Sequence, residues 1–126
     1  MLLEAEHISK SFGATQALRD VCIGLEAGKV HALVGENGAG KSTLFKICSG
    51  AILPDEGTMV LNGRPYDPRN MRQAQKQGVA LVFQELTIIP SLSIAENIFI
   101  DRMREYAGPA GLTNWRSLRQ AAQAIL

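Results

Sequence analysis

The run Gly35-Glu36-Asn37-Gly38-Ala39-Gly40-Lys41-Ser42-Thr43 has the residue types and spacing of a loop that grips phosphate, and it fits the pattern G-x-x-x-x-G-K-[ST]. Small residues let the backbone fold tightly enough for successive N–H groups to converge on an anion. Lys41 sets a cation beside the β- and γ-phosphates of a nucleotide, and the Ser42 hydroxyl is a ligand for Mg2+. A helix opening near Lys41 adds its positive N-terminal end.

Such a loop works only between a strand and a helix, and the flanks read that way. Val30, His31, Ala32, Leu33 and Val34 form a short, largely apolar run of strand type ahead of it. Behind it Leu44, Phe45, Ile47 and Cys48 recur at helical spacing, and Gly50 stands where a helix would stop. A glycine-rich surface turn would need neither flank, so the run is read as a nucleotide site.

The remaining elements follow from pattern. Leu3, Ala5 and His7 alternate with Glu4 and Glu6, predicting a half-buried strand to Ser9, then a turn over residues 11–14. Val21, Ile23 and Leu25 mark a second strand, and residues 58–61 followed by Asn62-Gly63 signal a hairpin. Asp67-Pro68 reads as a helix cap and first helical residue, with Gly78 as the stop, and residues 79–83 as another buried strand ending at Gln84. Ser93 and Glu96 form a capping-box pair for a short helix through Ile100. Trp115, Leu118, Ala122 and Ile125 share one face of a helix starting near Thr113, which places Trp115 in a core.

Composition narrows the class. With 126 residues, 46% hydrophobic and 20% charged, the chain has room for one modest soluble domain. A net charge of +1 provides no electrostatic argument for nucleic acid or an anionic membrane surface. No run approaches the ~18 apolar residues of a membrane span, and the Glu4/Glu6 start lacks a secretory leader, so the cytosol is expected. Cys22 and Cys48, without CxxC spacing, read as buried reduced thiols. His7 and His31 lie in strand-like segments and read as structural. Arg69, Arg72 and Lys76 read as a solvated helix face.

Lys10-Ser11-Phe12-Gly13 ahead of the loop and Val82-Phe83-Gln84-Glu85 behind it carry a further signal. Together with the loop they resemble the nucleotide-binding domain of ATP-binding-cassette (ABC) proteins. Within that superfamily GENGAGKSTL, PDEGTMVLNGRPY and VFQELTIIPSLSIAENIF look like the ATP-binding subunits of bacterial importers for ribose, xylose, galactose or arabinose.

The resemblance implies an α/β P-loop NTPase fold with an N-terminal antiparallel β subdomain, incomplete at the C-terminus. Residues 1–86 would be the β subdomain and the first part of the P-loop core, and residues 87–126 the start of the helical subdomain. It implies that Phe12 stacks on adenine, and that Gly35, Glu36, Asn37, Gly38, Ala39, Gly40, Lys41, Ser42 and Thr43 bind the phosphates of ATP. Ser42 and Gln84 would bind Mg2+, with Lys41 and Gln84 the catalytic contributors. Residues 86–97 match the region that docks on the membrane permease, where Ile88, Ile89 and Leu92 would be exposed for that contact or packed inside.

The implied partners are ATP, the permease subunits of a sugar importer and a second nucleotide-binding domain, with no nucleic acid. The implied location is cytoplasmic, at the inner membrane face through the permease. The family's signature motif, its Walker B carboxylates and its switch histidine do not occur in these residues, so hydrolysis by this chain alone is not expected. The strands that separate residues 30–34 from residues 79–83 would come from later sequence, leaving a gap in a parallel sheet. Two other readings are a nucleotide-binding remnant with neither transport nor ATPase activity, and a soluble ABC ATPase outside transport. The near-neutral charge and the residue 84–99 stretch disfavour the second.

Overall fold

Alternating apolar residues and tight turns build two antiparallel hairpins that share one sheet. The computed structural model describes residues 1–83, 88–108 and 111–125. Strands β1 (Leu3–Phe12), β2 (Thr15–Leu25), β3 (Glu56–Leu61) and β4 (Arg64–Pro65) form one antiparallel sheet in the order β2-β1-β3-β4. Both long strands exceed their sequence-based bounds. β1 runs on through Phe12, and β2 begins directly after the Gly13-Ala14 turn. At the expected β3–β4 hairpin, Asn62 (φ 52°) and Gly63 (φ 72°) both take the positive φ of a type I′ turn.

The predicted alternation of β1 fails at His7. Leu3 and Ala5 are buried, but the next inward residue is Ile8, and His7 is exposed. One extra residue in β1 resets the parity, as the pairings Ala5 with Ile23 and Ile8 with Val21 show. The bulge keeps an imidazole out of the core. His7 sits at φ 57° and Asp20, in the opposing irregularity of β2, at φ 51°. Gly57 of β3 backs the bulge at φ 104°, where a β-carbon would lie 2.6 Å from the His7 carbonyl oxygen.

The chain divides into two compact units, Met1–Val82 and Phe83–Leu126. In the first, helix α1 (Lys41–Cys48) turns Leu44, Ile47 and Cys48 inward at i, i+3 and i+4. They share a core with Leu3, Ala5, Ile8, Leu18, Met59, Leu61, Tyr66 and Ala74. The Tyr66 hydroxyl donates to the Cys48 carbonyl at 2.7 Å. Burial, then the neighbouring Cys48, pushes that phenol up to about 12.

Helix α2 (Met71–Lys76) starts later than Asp67-Pro68 suggests. Asn70 is its cap, accepting from the Gln73 N–H at 3.0 Å, while Pro68 is buried. Gly78, at φ 91°, does stop it. Arg69, Arg72 and Lys76 are exposed as expected.

Residues 30–34 and 79–83 depart most from the expected strands. Neither segment joins a ladder among the described residues. Val30 is fully exposed, and Val34 and Val82 are 89% exposed. Val79 alone packs against the core. Their apolar sequence suits a parallel sheet covered on both faces, and among the described residues no strand pairs with them.

In the second unit, helix α3 (Ile94–Phe99) has the predicted capping box, with Ser93 and Glu96 bonding reciprocally. A 3-10 helix at Ile100–Tyr106 and helix α4 (Trp115–Gln123) follow. Phe99, Leu118 and Ala122 form its core, and the Phe99 and Tyr106 rings lie 5.0 Å apart. Asn97 ties the preceding loop back to α3, accepting from the Ile89 N–H at 2.8 Å and donating to carbonyls of Ile89, Leu92 and Ser93. Trp115 is not in the core. It is 47% exposed, because only Leu118 and Ala122 of the predicted face point inward. Ile125, also predicted on that face, is likewise exposed, and so are Ile88 and Ile89, while Leu92 is partly covered.

Candidate functional site

The loop between residue 34 and α1 is shaped by two glycines in left-handed conformation, Gly38 at φ 85° and Gly40 at φ 81°. They differ in their surroundings. A β-carbon on Gly38 would meet open space, whereas one on Gly40 would collide with the Ala17 carbonyl and approach Leu18 Cδ2 to 2.6 Å. Gly40 is thus where the start of α1 presses on β2. Gly35 has room for a β-carbon, 3.5 Å from Ala39 Cβ.

Gly40 is the N-cap of α1, and no side chain caps that end. The first N–H groups of the helix therefore keep their donor capacity and their positive dipole end for an outside acceptor. Lys41 Nζ donates to the carbonyls of Gly35 and Glu36, both at 2.7 Å. Its ammonium spans the loop mouth, held by the residues that a bound anion would face. The Ser42 side of the first turn is exposed and Thr43 is partly covered. A phosphate chain suits this arrangement on three counts: an uncapped helix start, a cation over the loop, and a hydroxyl on the first turn. Among the described residues no three His, Cys, Asp or Glu side chains cluster as a metal site. A divalent ion here would take the Ser42 hydroxyl and phosphate oxygens, the donor set that Mg2+ favours.

Phe12 ends β1 and is 49% exposed. Lys10 Nζ lies 5.7 Å from its ring centroid. Lys10 also donates to Asp55 Oδ1 at 2.6 Å, and the Ser11 N–H donates to Asp55 Oδ2 at 2.7 Å. The Lys10 ammonium, then the Ser11 N–H, holds the Asp55 carboxyl below its usual range. In the sequence Asp55 stands only as one residue of the PDEGTMVLNGRPY segment. Its one signal there is an acidic side chain that could pair with the lysine of the Lys10-Ser11-Phe12-Gly13 run.

Gln84, expected to bind Mg2+ and to act in catalysis, lies outside the described residues. The histidines stay apart from the loop chemistry. His31 Nε2 accepts from the Glu26 N–H at 3.0 Å, and His7 Nδ1 bonds Asp20 Oδ1 at 2.6 Å. That carboxylate raises the His7 pKa by hydrogen bonding first and by its charge second. Of the two thiols Cys48 is buried, as expected, and burial raises its pKa. Cys22 is exposed, contrary to expectation, because it sits on the outward side of β2, its Sγ accepting from the His7 N–H at 3.3 Å.

Known proteins of the same pattern bear on these features. The chain is 54% identical over 99% of its length to the ribose import ATP-binding protein RbsA 2 of Streptomyces avermitilis, and covers 24% of that protein. It is 46% identical over 99% of its length to the ribose import ATP-binding protein RbsA of Caldanaerobacter subterraneus subsp. tengcongensis, covering 25% of it. The chain thus spans about a quarter of the length of these curated relatives. Among solved structures, a nucleotide-free ATP-binding cassette from an ABC transporter superposes with a TM-score of 0.73 at 28% identity, covering 94% of this chain and 45% of that one. A dimeric cassette bound to ADP and Pi matches in fold at 22% identity, TM-score 0.71, covering 97% of this chain and 54% of that one. The sequence model of the ABC transporter family matches residues 18–125. With that match spanning most of its length, this chain belongs to the ABC transporter family.

Proposed function

We propose that the chain carries the adenine- and phosphate-binding part of an ATPase subunit that drives import of a sugar, ribose being the substrate named for its relatives. The observation that carries this reading is Lys41 bridging the Gly35 and Glu36 carbonyls at the uncapped start of α1. Residues 35–43 receive the phosphates of ATP, Ser42 ligates Mg2+ with them, and Phe12 stacks on the adenine. Mg2+, when bound, supplies charge to offset that developing on the phosphoryl oxygens. Gln84 is assigned to the metal and the attacking water.

Hydrolysis belongs to the whole protein, which brings the signature and Walker B motifs and a second nucleotide-binding domain. The two apolar segments 30–34 and 79–83 belong, in this reading, to a parallel sheet whose intervening strands lie in the rest of that protein. Residues 1–86 then serve as the β subdomain and nucleotide core, and residues 87–126 as the start of the permease-facing helical subdomain, where Ile88 and Ile89 are already exposed. Attachment to a permease would place the protein at the cytoplasmic membrane face. Among the described residues no helix is long and apolar enough to cross a membrane itself.

The test is calorimetric titration of the 126-residue chain with Mg-ATP, beside its Lys41→Ala variant. Removing a charge-assisted donor should weaken binding by about tenfold or more. Equal affinities would remove the phosphate-loop assignment.

A further inference from the structure

Residue 55 makes three bonds to β1, all to the residues just before Phe12. Its N–H donates to the Ser9 carbonyl at 2.9 Å, and its carboxylate receives the Lys10 ammonium and the Ser11 N–H. The Lys10 ammonium lies in turn against the Phe12 ring. Beyond Phe12 the chain enters the two-residue Gly13-Ala14 turn, in which a β-carbon at Gly13 would meet open space. An ion pair with one partner 44% exposed adds little to global stability. Its consequence is geometrical, because it fixes where the ring stands.

Asp55 also lies on the connector that leaves α1, between Cys48 and β3. The other end of α1 meets the same hairpin where Gly40 presses on Ala17 and Leu18. The start of α1 and the connector that follows it are therefore both held to the β1–β2 hairpin, and Phe12 lies in the chain between the two points of attachment.

The geometry points to Asp55 as a positioning residue that, through Lys10 and Ser11, sets the Phe12 ring for an adenine base at a fixed place relative to the phosphate loop. This rests on the reading of Phe12 as the stacking residue. A ring ordered beforehand loses less freedom when a base stacks on it. A cation against one side of the ring draws π density toward itself, leaving the other side a better partner for an electron-rich purine.

The experiment titrates Mg-ATP and Mg-tripolyphosphate, the same phosphates without a base, into wild type, Phe12→Ala, Asp55→Ala, Asp55→Asn and the Phe12→Ala/Asp55→Ala double variant. Phe12→Ala should weaken ATP about tenfold and leave tripolyphosphate unchanged. Asp55→Ala should weaken ATP about threefold to fivefold, again sparing tripolyphosphate, and should add nothing in the Phe12→Ala background. Asp55→Asn keeps the side-chain volume and reads the same effect should the alanine variant fail to fold. Equal losses for both ligands, no loss for ATP, or a full additive loss in the double variant would overturn the role of Asp55 while leaving stacking intact. An unchanged ratio of ATP to tripolyphosphate affinity in Phe12→Ala would instead remove stacking itself, and the role of Asp55 with it.

Discussion

The three glycines of the phosphate loop should tolerate alanine to sharply different degrees, and the order follows from geometry alone. At Gly35 a new β-carbon makes contacts of 3.5 and 3.9 Å, within ordinary van der Waals range, and the residue is not in the positive-φ region. Gly35→Ala should therefore change stability by no more than about 0.5 kcal/mol. At Gly38 the space is open but φ is 85°, so an alanine meets the left-handed penalty of about 1–2 kcal/mol and nothing else. At Gly40 the same penalty adds to collisions with the Ala17 carbonyl and with Leu18, the latter at 2.6 Å. Overpacking of that kind costs about 1–3 kcal/mol, bringing the total to roughly 2–5 kcal/mol. Urea unfolding followed by far-UV circular dichroism measures the series. Hydrogen exchange at Leu44, whose N–H bonds the Gly40 carbonyl at 3.0 Å, shows whether the Gly40 change acts at the start of α1. The reasoning is refuted if Gly35→Ala costs as much as Gly40→Ala, or if Gly38 and Gly40 are indistinguishable.

Other expectations are simpler. The folded His7 pKa is raised above its ordinary 6.5, so the His7–Asp20 clip is fully present below about that value and is lost as pH rises through the folded pKa. The melting temperature of wild type should fall relative to Asp20→Asn across that window, and parallel pH profiles would contradict the clip. The Asp55 carboxyl has the opposite sign. Its contribution is present above its ordinary 3.8 and disappears as pH falls through the lowered folded value, which nuclear magnetic resonance titration of the carboxyl carbon should show. Tyr66→Phe removes a buried hydrogen bond to Cys48 and should cost about 1–2 kcal/mol in urea unfolding; no change would mean the carbonyl finds another donor. In the folded chain a disulfide reagent should react quickly with Cys22 and slowly with Cys48, and equal rates would contradict the burial of Cys48.

How far the sequence could be read divides along the range of the interaction involved. The Ser93/Glu96 capping box, the Asn62-Gly63 turn, the Gly78 stop and the opening of α1 at Lys41 all depend on residues a few positions apart. Their chemistry is complete within the local window, and each stands in the structure as its residues imply. His7 misleads because strand parity is set jointly by three paired strands. The extra residue in β1 is tolerated only because Gly57 on one side and Asp20 on the other adapt to it, and neither is visible from the alternation of residues 3–7. Asp67 and Asn70 are both good caps, and the helix takes Asn70 while Pro68 is buried ahead of it.

The candidate site shows the same division with a different consequence. The phosphate grip is local: the glycines, Lys41 and the first turn of α1 are contiguous, so their chemistry was legible as a pattern. Its coupling to the aromatic platform is not local, because Asp55 reaches back to Lys10 and Ser11, and Gly40 to Ala17 and Leu18. A nucleotide binds well only if its base and its phosphates find their partners at one fixed separation, so the residues that hold two subsites in register matter as much as those that touch the ligand. Such residues need no reactive group and carry no motif. The two apolar segments, which join no ladder among the described residues, make a related point. An apolar run such as residues 30–34 states that a strand must be covered, and the covering partner is a separate fact. Here Val30, Val34 and Val82 remain exposed among the described residues, so the fold of residues 1–82 is the product of the contacts they hold within themselves: the antiparallel hairpins, and the helix packed against them.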